Sequence, residues 1–202
     1  MMTNSLPSSK HPILVRITHG VNGLAFLIML TSGWRIYNAS PLFHFAFPEA
    51  LTLGGWLGGA LLWHFAAMWL LAFNGLVYLA YGLFFGRFRR QLWPISLPGM
   101  AADIRAAFKG TLQHDHATVY NNAQRAVYVL MIGLGVALVL SGLVVWKSVQ
   151  FQALGTIMGG YEGARLVHFS AMAIITMLAL VHVVMVIRTP HTLTVMFWGR
   201  RS

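Results

Sequence analysis

Four long apolar stretches, with charges only near their ends, constrain this chain more than any other feature of it. About 20 such residues suffice for a helix to cross the hydrocarbon core of a bilayer. The first stretch runs from about Ile13 to Tyr37, directly after Pro12, which suits the first position of a helix. The second runs from about Gly55 to Phe85 and is long enough to tilt or project beyond the bilayer. The third covers Ala123–Trp146, and the fourth covers Gly163–Ile187 and stops before Pro190. Only 9% of residues are charged, against roughly a quarter in soluble globular chains. The expected fold class is therefore all-α, an integral membrane four-helix bundle forming one domain over residues 1–202. Met1–Pro12 is polar with a single Lys, and no small-residue cleavage site follows, so the first span reads as a retained helix and not a signal peptide.

The formal charge of +10 does not point to nucleic acid. A nucleic-acid surface gathers basic residues with polar companions on a water-exposed face, whereas here they flank apolar spans. Lys10, Arg16, Arg87, Arg89, Arg90, Arg105, Lys109, Arg125, Arg188, Arg200 and Arg201 fall on one side. Arg35, Lys147 and Arg165 fall on the other, eleven against three. By the positive-inside rule both termini and the long 86–122 loop are expected on the cytoplasmic side of the membrane. Within that loop, Met100–Lys109 has apolar and basic residues at near-helical spacing. It reads either as a short amphipathic surface helix or as a solvated loop. Cysteine is absent, which excludes disulfides, thioether-bound haem and iron–sulfur clusters held by this chain's own thiolates.

Of nine histidines, four lie inside the spans: His19, His64, His168 and His182. Ionisable groups at membrane depth are costly and are read first as functional. His168 and His182 are 14 residues apart, nearly four turns, so they share a helix face about 21 Å apart along the axis. Helix direction then sorts the four by depth. His19 matches His182 near the inner side, and His64 matches His168 near the outer side. Two imidazoles at equal depth can supply both axial ligands of a b-type haem, a centre suited to electron transfer. Gly20, Gly23, Gly58, Gly59, Gly135, Gly142, Ala164 and Ala171 leave room for a porphyrin edge or for close helix packing. All four acids (Glu49, Asp103, Asp115 and Glu162) lie outside the spans, whereas proton and cation transporters usually depend on intramembrane carboxylates.

With these histidines placed, the chain resembles the bacterial di-haem cytochrome b family. That group includes cytochrome b-561, the cytochrome b subunit of nickel–iron hydrogenases, the gamma subunit of formate dehydrogenase and thiosulfate-reductase-type anchors. The resemblance extends from Arg16-Ile17-Thr18-His19 to Leu193–Gly199, and its most specific element is the His168/His182 pair on the last span. It implies two b haems, one bound by His19 and His182 and one by His64 and His168. Tyr120-Asn121-Asn122-Ala123-Gln124-Arg125 is similar to the quinone-lining segment of the formate dehydrogenase and thiosulfate reductase branch, which implicates Asn121 and Gln124 in binding quinone. The local alternative is helix capping by Asn121 or Asn122. Arg16, Arg35 and Arg165 are candidates for haem propionates or for headgroup anchoring.

The expected function is a membrane electron-transfer subunit passing electrons between a quinone pool and a periplasmic redox partner. That partner would be a molybdenum oxidoreductase, a hydrogenase or a soluble cytochrome c. The loops at about 38–54 and 147–162 are too short to carry substrate chemistry of their own. Two rivals stand beside this reading. One is a self-contained superoxide:quinone oxidoreductase with Arg35, Lys147 and Arg165 as an anion funnel. The other is a histidine-based metal or proton transporter. Lipid and quinone are expected contacts, nucleic acid is not, and self-association into a homo-oligomer is left open.

Overall fold

A computed structural model describes residues 13–84, 96–108 and 122–188. They form six α-helices: α1 (Ile13–Ala39), α2 (Leu57–Phe84), α3 (Leu97–Phe108), α4 (Asn122–Trp146), α5 (Gln152–Ile157) and α6 (Gly160–Arg188). A 3-10 turn, Glu49–Leu51, lies between α1 and α2. Among the described residues there is no strand.

The long helices α1, α2, α4 and α6 are each long and apolar enough to cross a membrane. At ~1.5 Å per residue, 25 residues or more exceed the roughly 30 Å hydrocarbon thickness. Helix is the form the sequence has to take there, because it satisfies every mid-span backbone group internally. Large apolar side chains such as Leu62, Leu76, Val139 and Met177 point outward around the bundle, as lipid-facing residues do. Small residues make up most of the buried interior, Ala25, Ser32, Ala60, Ala67, Ser141, Ala164 and Ala171, beside Leu30, Tyr37, Val144 and Ile175. Small residues let helix backbones approach where hydrophobic burial gives no drive for association.

The bundle is assembled from two helix pairs. α1 packs along α2, and α4 packs along α6, while α5 sits in the corner of the second pair. Short connections, residues 40–56 and 147–159, link the two helices within each pair at one end of the bundle, the short-loop end. The first of these folds back onto α1. Asn38 holds it by donating through Nδ2 to the Phe47 carbonyl and accepting the Phe47 N–H at Oδ1, both at 2.8 Å. Leu53 N–H reaches down to the Thr31 carbonyl at 3.1 Å. Gly54 then turns the chain with φ +109°, and a Cβ there would lie 2.4 Å from the Ala60 nitrogen. No other residue fits.

The segment read from sequence as either a surface helix or a loop contains a helix, α3, which begins three residues earlier than Met100. Ser96 caps it, accepting the Met100 N–H at its carbonyl (2.8 Å) and the Gly99 N–H at Oγ (3.3 Å). α3 and α4 then cap each other. Asn122 Oδ1 accepts the Ser96 N–H, and Asp103 Oδ2 accepts the Ala123 N–H, both at 3.2 Å. Both carboxyl and carboxamide thereby satisfy helix-start donors that have no partner inside their own helix.

Candidate functional site

The short-loop end holds two histidines in matching surroundings. His64 is in the second turn of α2 and His168 in the third turn of α6. Ser32 Oγ lies 3.1 Å from His64 Nδ1, and Ser141 Oγ lies 3.1 Å from His168 Nδ1. Each hydroxyl already donates its proton within its own helix, Ser32 to the Ile28 carbonyl at 2.6 Å and Ser141 to the Ala137 carbonyl at 2.5 Å. Its oxygen can then only accept, so the imidazole Nδ1 must carry the hydrogen. A backbone carbonyl reinforces this on each side: Leu138 lies 3.1 Å from His168 Nδ1, and Met29 is hydrogen-bonded to His64. The tautomer is settled by acceptors alone. Nε2 keeps its lone pair, the nitrogen available to a metal when a second group holds Nδ1–H.

These surroundings repeat along the chain. Ala60-x-x-x-His64-Phe65-x-Ala67 recurs as Ala164-x-x-x-His168-Phe169-x-Ala171, 104 residues later. Met29, Ser32, Gly33 and Tyr37 on α1 correspond to Leu138, Ser141, Gly142 and Trp146 on α4, 109 residues later. The correspondence extends to packing. Phe65 meets Trp146 at 5.1 Å between ring centroids, and Phe169 meets Tyr37 at 5.1 Å. Each pair therefore places an aromatic ring on the last turn of the other. A Cβ on Gly33 would lie 3.4 Å from His64 Cε1, and one on Gly142 would lie 3.3 Å from His168 Cε1, so each ring rests on a glycine.

At the opposite end, His19 in the second turn of α1 faces His182 near the end of α6. Their ring centroids are 6.0 Å apart and the planes meet at 76°. With metal–nitrogen bonds of ~2.0 Å, this spacing admits one metal between facing nitrogens. Both rings are exposed, and a Cβ on neighbouring Gly20 or Gly23 would meet nothing within 4 Å. His19 and His182 are thus brought into ring contact, while His64 and His168 lie at the same short-loop end in matching surroundings. Among the described residues no three His, Cys, Asp or Glu side chains gather to hold an ion. Two imidazoles per site suit a macrocycle that brings its own equatorial nitrogens. The residues fit a haem and do not make an ordinary zinc site, which takes three or four protein ligands.

The other sequence candidates are placed as follows. Arg35 Nη1 donates to Glu49 at 2.8 Å, and Nη2 donates to the Gly55 carbonyl. Arg165 Nη1 donates to Glu162 at 2.9 Å, and Nη2 donates to the Ser40 carbonyl. Both guanidiniums thus already hold protein acceptors at the short-loop end. Arg16 and Gln124 are half-buried in the first turns of α1 and α4. Asn121 lies outside the described residues, and Asn122 is engaged with Ser96.

Sequence reading passed over Ser32, Ser141 and Asn74. Asn74 Nδ2 donates from α2 to the Thr18 carbonyl at 2.8 Å and to Asn22 Oδ1 at 2.6 Å, tying α2 to α1 next to His19. The repeated Ser32-Gly33 and Ser141-Gly142, 109 residues apart, were the signal that leads to the serines. Asn74 was detectable as an amide in the middle of an apolar span.

Intramembrane histidines at both ends of a four-span helical bundle are the pattern of a b-type cytochrome. The chain belongs to the prokaryotic cytochrome b561 family, whose model matches residues 10–199, and it is accordingly a multi-pass inner-membrane electron-transfer protein that binds b-type haem. It is similar to a protein of Azospira oryzae provisionally named protein-methionine-sulfoxide reductase subunit YedZ1. The two are 51% identical over 189 residues, covering 94% of this chain and 96% of the relative. No solved structure matches the chain.

Proposed function

We propose that this chain is the membrane subunit of an oxidoreductase, binding two b haems and carrying electrons between a quinone pool and a periplasmic partner. The observation that carries this reading is the acceptor arrangement at His64 and His168, which leaves Nε2 of both as ligands. His64 and His168 hold the outer haem, His19 and His182 the inner one, with both termini in the cytoplasm. A haem ligated on both faces by imidazole exchanges single electrons and offers no open position to small molecules.

The chain's own residues do the rest. His168 and His182 set the two centres ~21 Å apart along α6, so electrons cross the bilayer by way of one helix. Phe169, next to His168, continues into the Tyr37, Phe43 and Phe45 ring cluster, which carries the outer centre's surroundings to the exposed short-loop face. Gln124, with Asn121, offers amide hydrogen bonds to a quinone at the inner entry of α4. Arg16, Arg35 and Arg165 remain the candidates for propionates, the last two sharing their forks with Glu49 and Glu162. The name of the Azospira relative points to a reductase of oxidised methionine in proteins as the partner. Electrons would then flow outward from quinol. The same pairing of Arg35 and Arg165 with carboxylates bears on the superoxide reading, in which they would instead draw in an anion.

The deciding experiment is haem stoichiometry by reduced pyridine haemochrome on purified protein. Two b haems per chain are expected. A single haem in fully loaded, folded protein overturns the assignment of one pair.

A further inference from the structure

Helical serines in membrane spans commonly bond to the carbonyl one turn back, and that alone would make Ser32 and Ser141 unremarkable packing residues. Their placement says more. Both are fully buried, both stand opposite a histidine at the same repeat position, and both present the oxygen lone pair to Nδ1 at 3.1 Å. Each lies next to a carbonyl that serves the same ring, Met29 or Leu138. Alanine would fill the same space without placing a polar atom in the interior, where an unsatisfied hydroxyl costs about 1–3 kcal/mol. A hydroxyl whose proton is committed elsewhere is a pure acceptor for the imidazole N–H. Such acceptors raise the basicity of the ligating nitrogen opposite.

We propose that Ser32 and Ser141 are positioning residues that orient the two outer ligands and, by accepting from Nδ1–H, bias the outer centre toward its oxidised state. This rests on the haem reading above. A more basic imidazole stabilises ferric iron over ferrous, so the two serines together lower the outer centre's potential. The iron gains or loses one electron per turnover, and no atom of either serine is transferred. Because the clamp is duplicated, both faces of the same centre feel it, and the inner centre serves as an internal control.

The test is a redox titration of the holoprotein with optical and electron paramagnetic resonance detection. The variants are Ser32→Ala, Ser141→Ala, the double alanine variant and the two Ser→Thr variants. The double alanine variant is expected to shift the outer ferric/ferrous equilibrium about tenfold toward ferrous, an upward move of ~59 mV for one electron. The outer ferric signal moves with it while the inner centre stays put, and threonine restores both. Unchanged outer potential and signal in the double variant with both haems bound would overturn the proposal. So would threonine variants that behave like alanine, or that lose the outer haem as alanine does, since either makes the role one of packing. Unmutated protein without haem at His64 and His168 would instead sink the haem reading itself.

Discussion

The two halves of the bundle hold their histidines in different ways. At the short-loop end the two helix pairs obey one repeat: His64 and His168, Ser32 and Ser141, Phe65 and Phe169 are counterparts. Their rings are held by hydroxyls, carbonyls and glycines. Cross-pair aromatic contacts and the Arg165 link to Ser40 fasten one pair to the other there. At the opposite end the repeat breaks, since the counterparts of His19 and His182 are Tyr128 and Tyr78. His19 and His182 are exposed there, and the tie beside them, Asn74 to Thr18 and Asn22, lies within one helix pair. On the haem reading proposed above, a ligand pair on the repeat axis comes preorganised by duplicated surroundings. A pair off that axis depends more on its cofactor to bring the helix pairs together.

The largest expected effect removes one half from the comparison. His64→Ala or His168→Ala should abolish the outer haem and leave most of the inner one, read by haemochrome content and redox titration. Equal loss of both haems in either variant would show that the halves are not independent. Next comes retention: on transfer to excess apomyoglobin, the inner haem should leave first, by ~10-fold or more in rate if preorganisation is what separates the two sites. Loss in the reverse order breaks the contrast.

Gln124→Ala should slow quinone turnover severalfold with haem content unchanged, and normal steady-state kinetics would remove Gln124 from the quinone site. Asn74→Ala removes an interhelical hydrogen bond worth roughly 0.6–2 kcal/mol in a membrane. It should lower the thermal midpoint in detergent and loosen inner haem binding before outer. The smallest effect belongs to Glu162→Gln, which breaks an exposed ion pair worth about 0–1 kcal/mol and should shift the midpoint by little. A large shift there would mean that Arg165 holds the two helix pairs together more than its exposed partner suggests.

Much of this was legible without coordinates. Four charge-poor spans become four long helices because a bilayer leaves the backbone no other internally satisfied form. The pairing of histidines by depth is an expectation from helix rise and chain direction, and the structure has His19 and His182 rings 6.0 Å apart. Legibility faded where partners come from far along the chain. Arg35 and Arg165 look alike as topogenic charges, yet Glu49 and Ser40 engage them only because the 40–56 connection folds back. Asp103 looks like an ordinary loop acid, but α3 turns it onto the start of α4.

The sequence by itself determined the membrane class, the number of spans and which histidines lie within them, because hydropathy and helix rise are properties of single segments. Only the tertiary structure decided that Ser32 and Ser141 face the imidazoles, and therefore which ring nitrogen is left to bind. A hydroxyl's choice of partner depends on which helix packs against it and at what rotation, and no single segment carries that information.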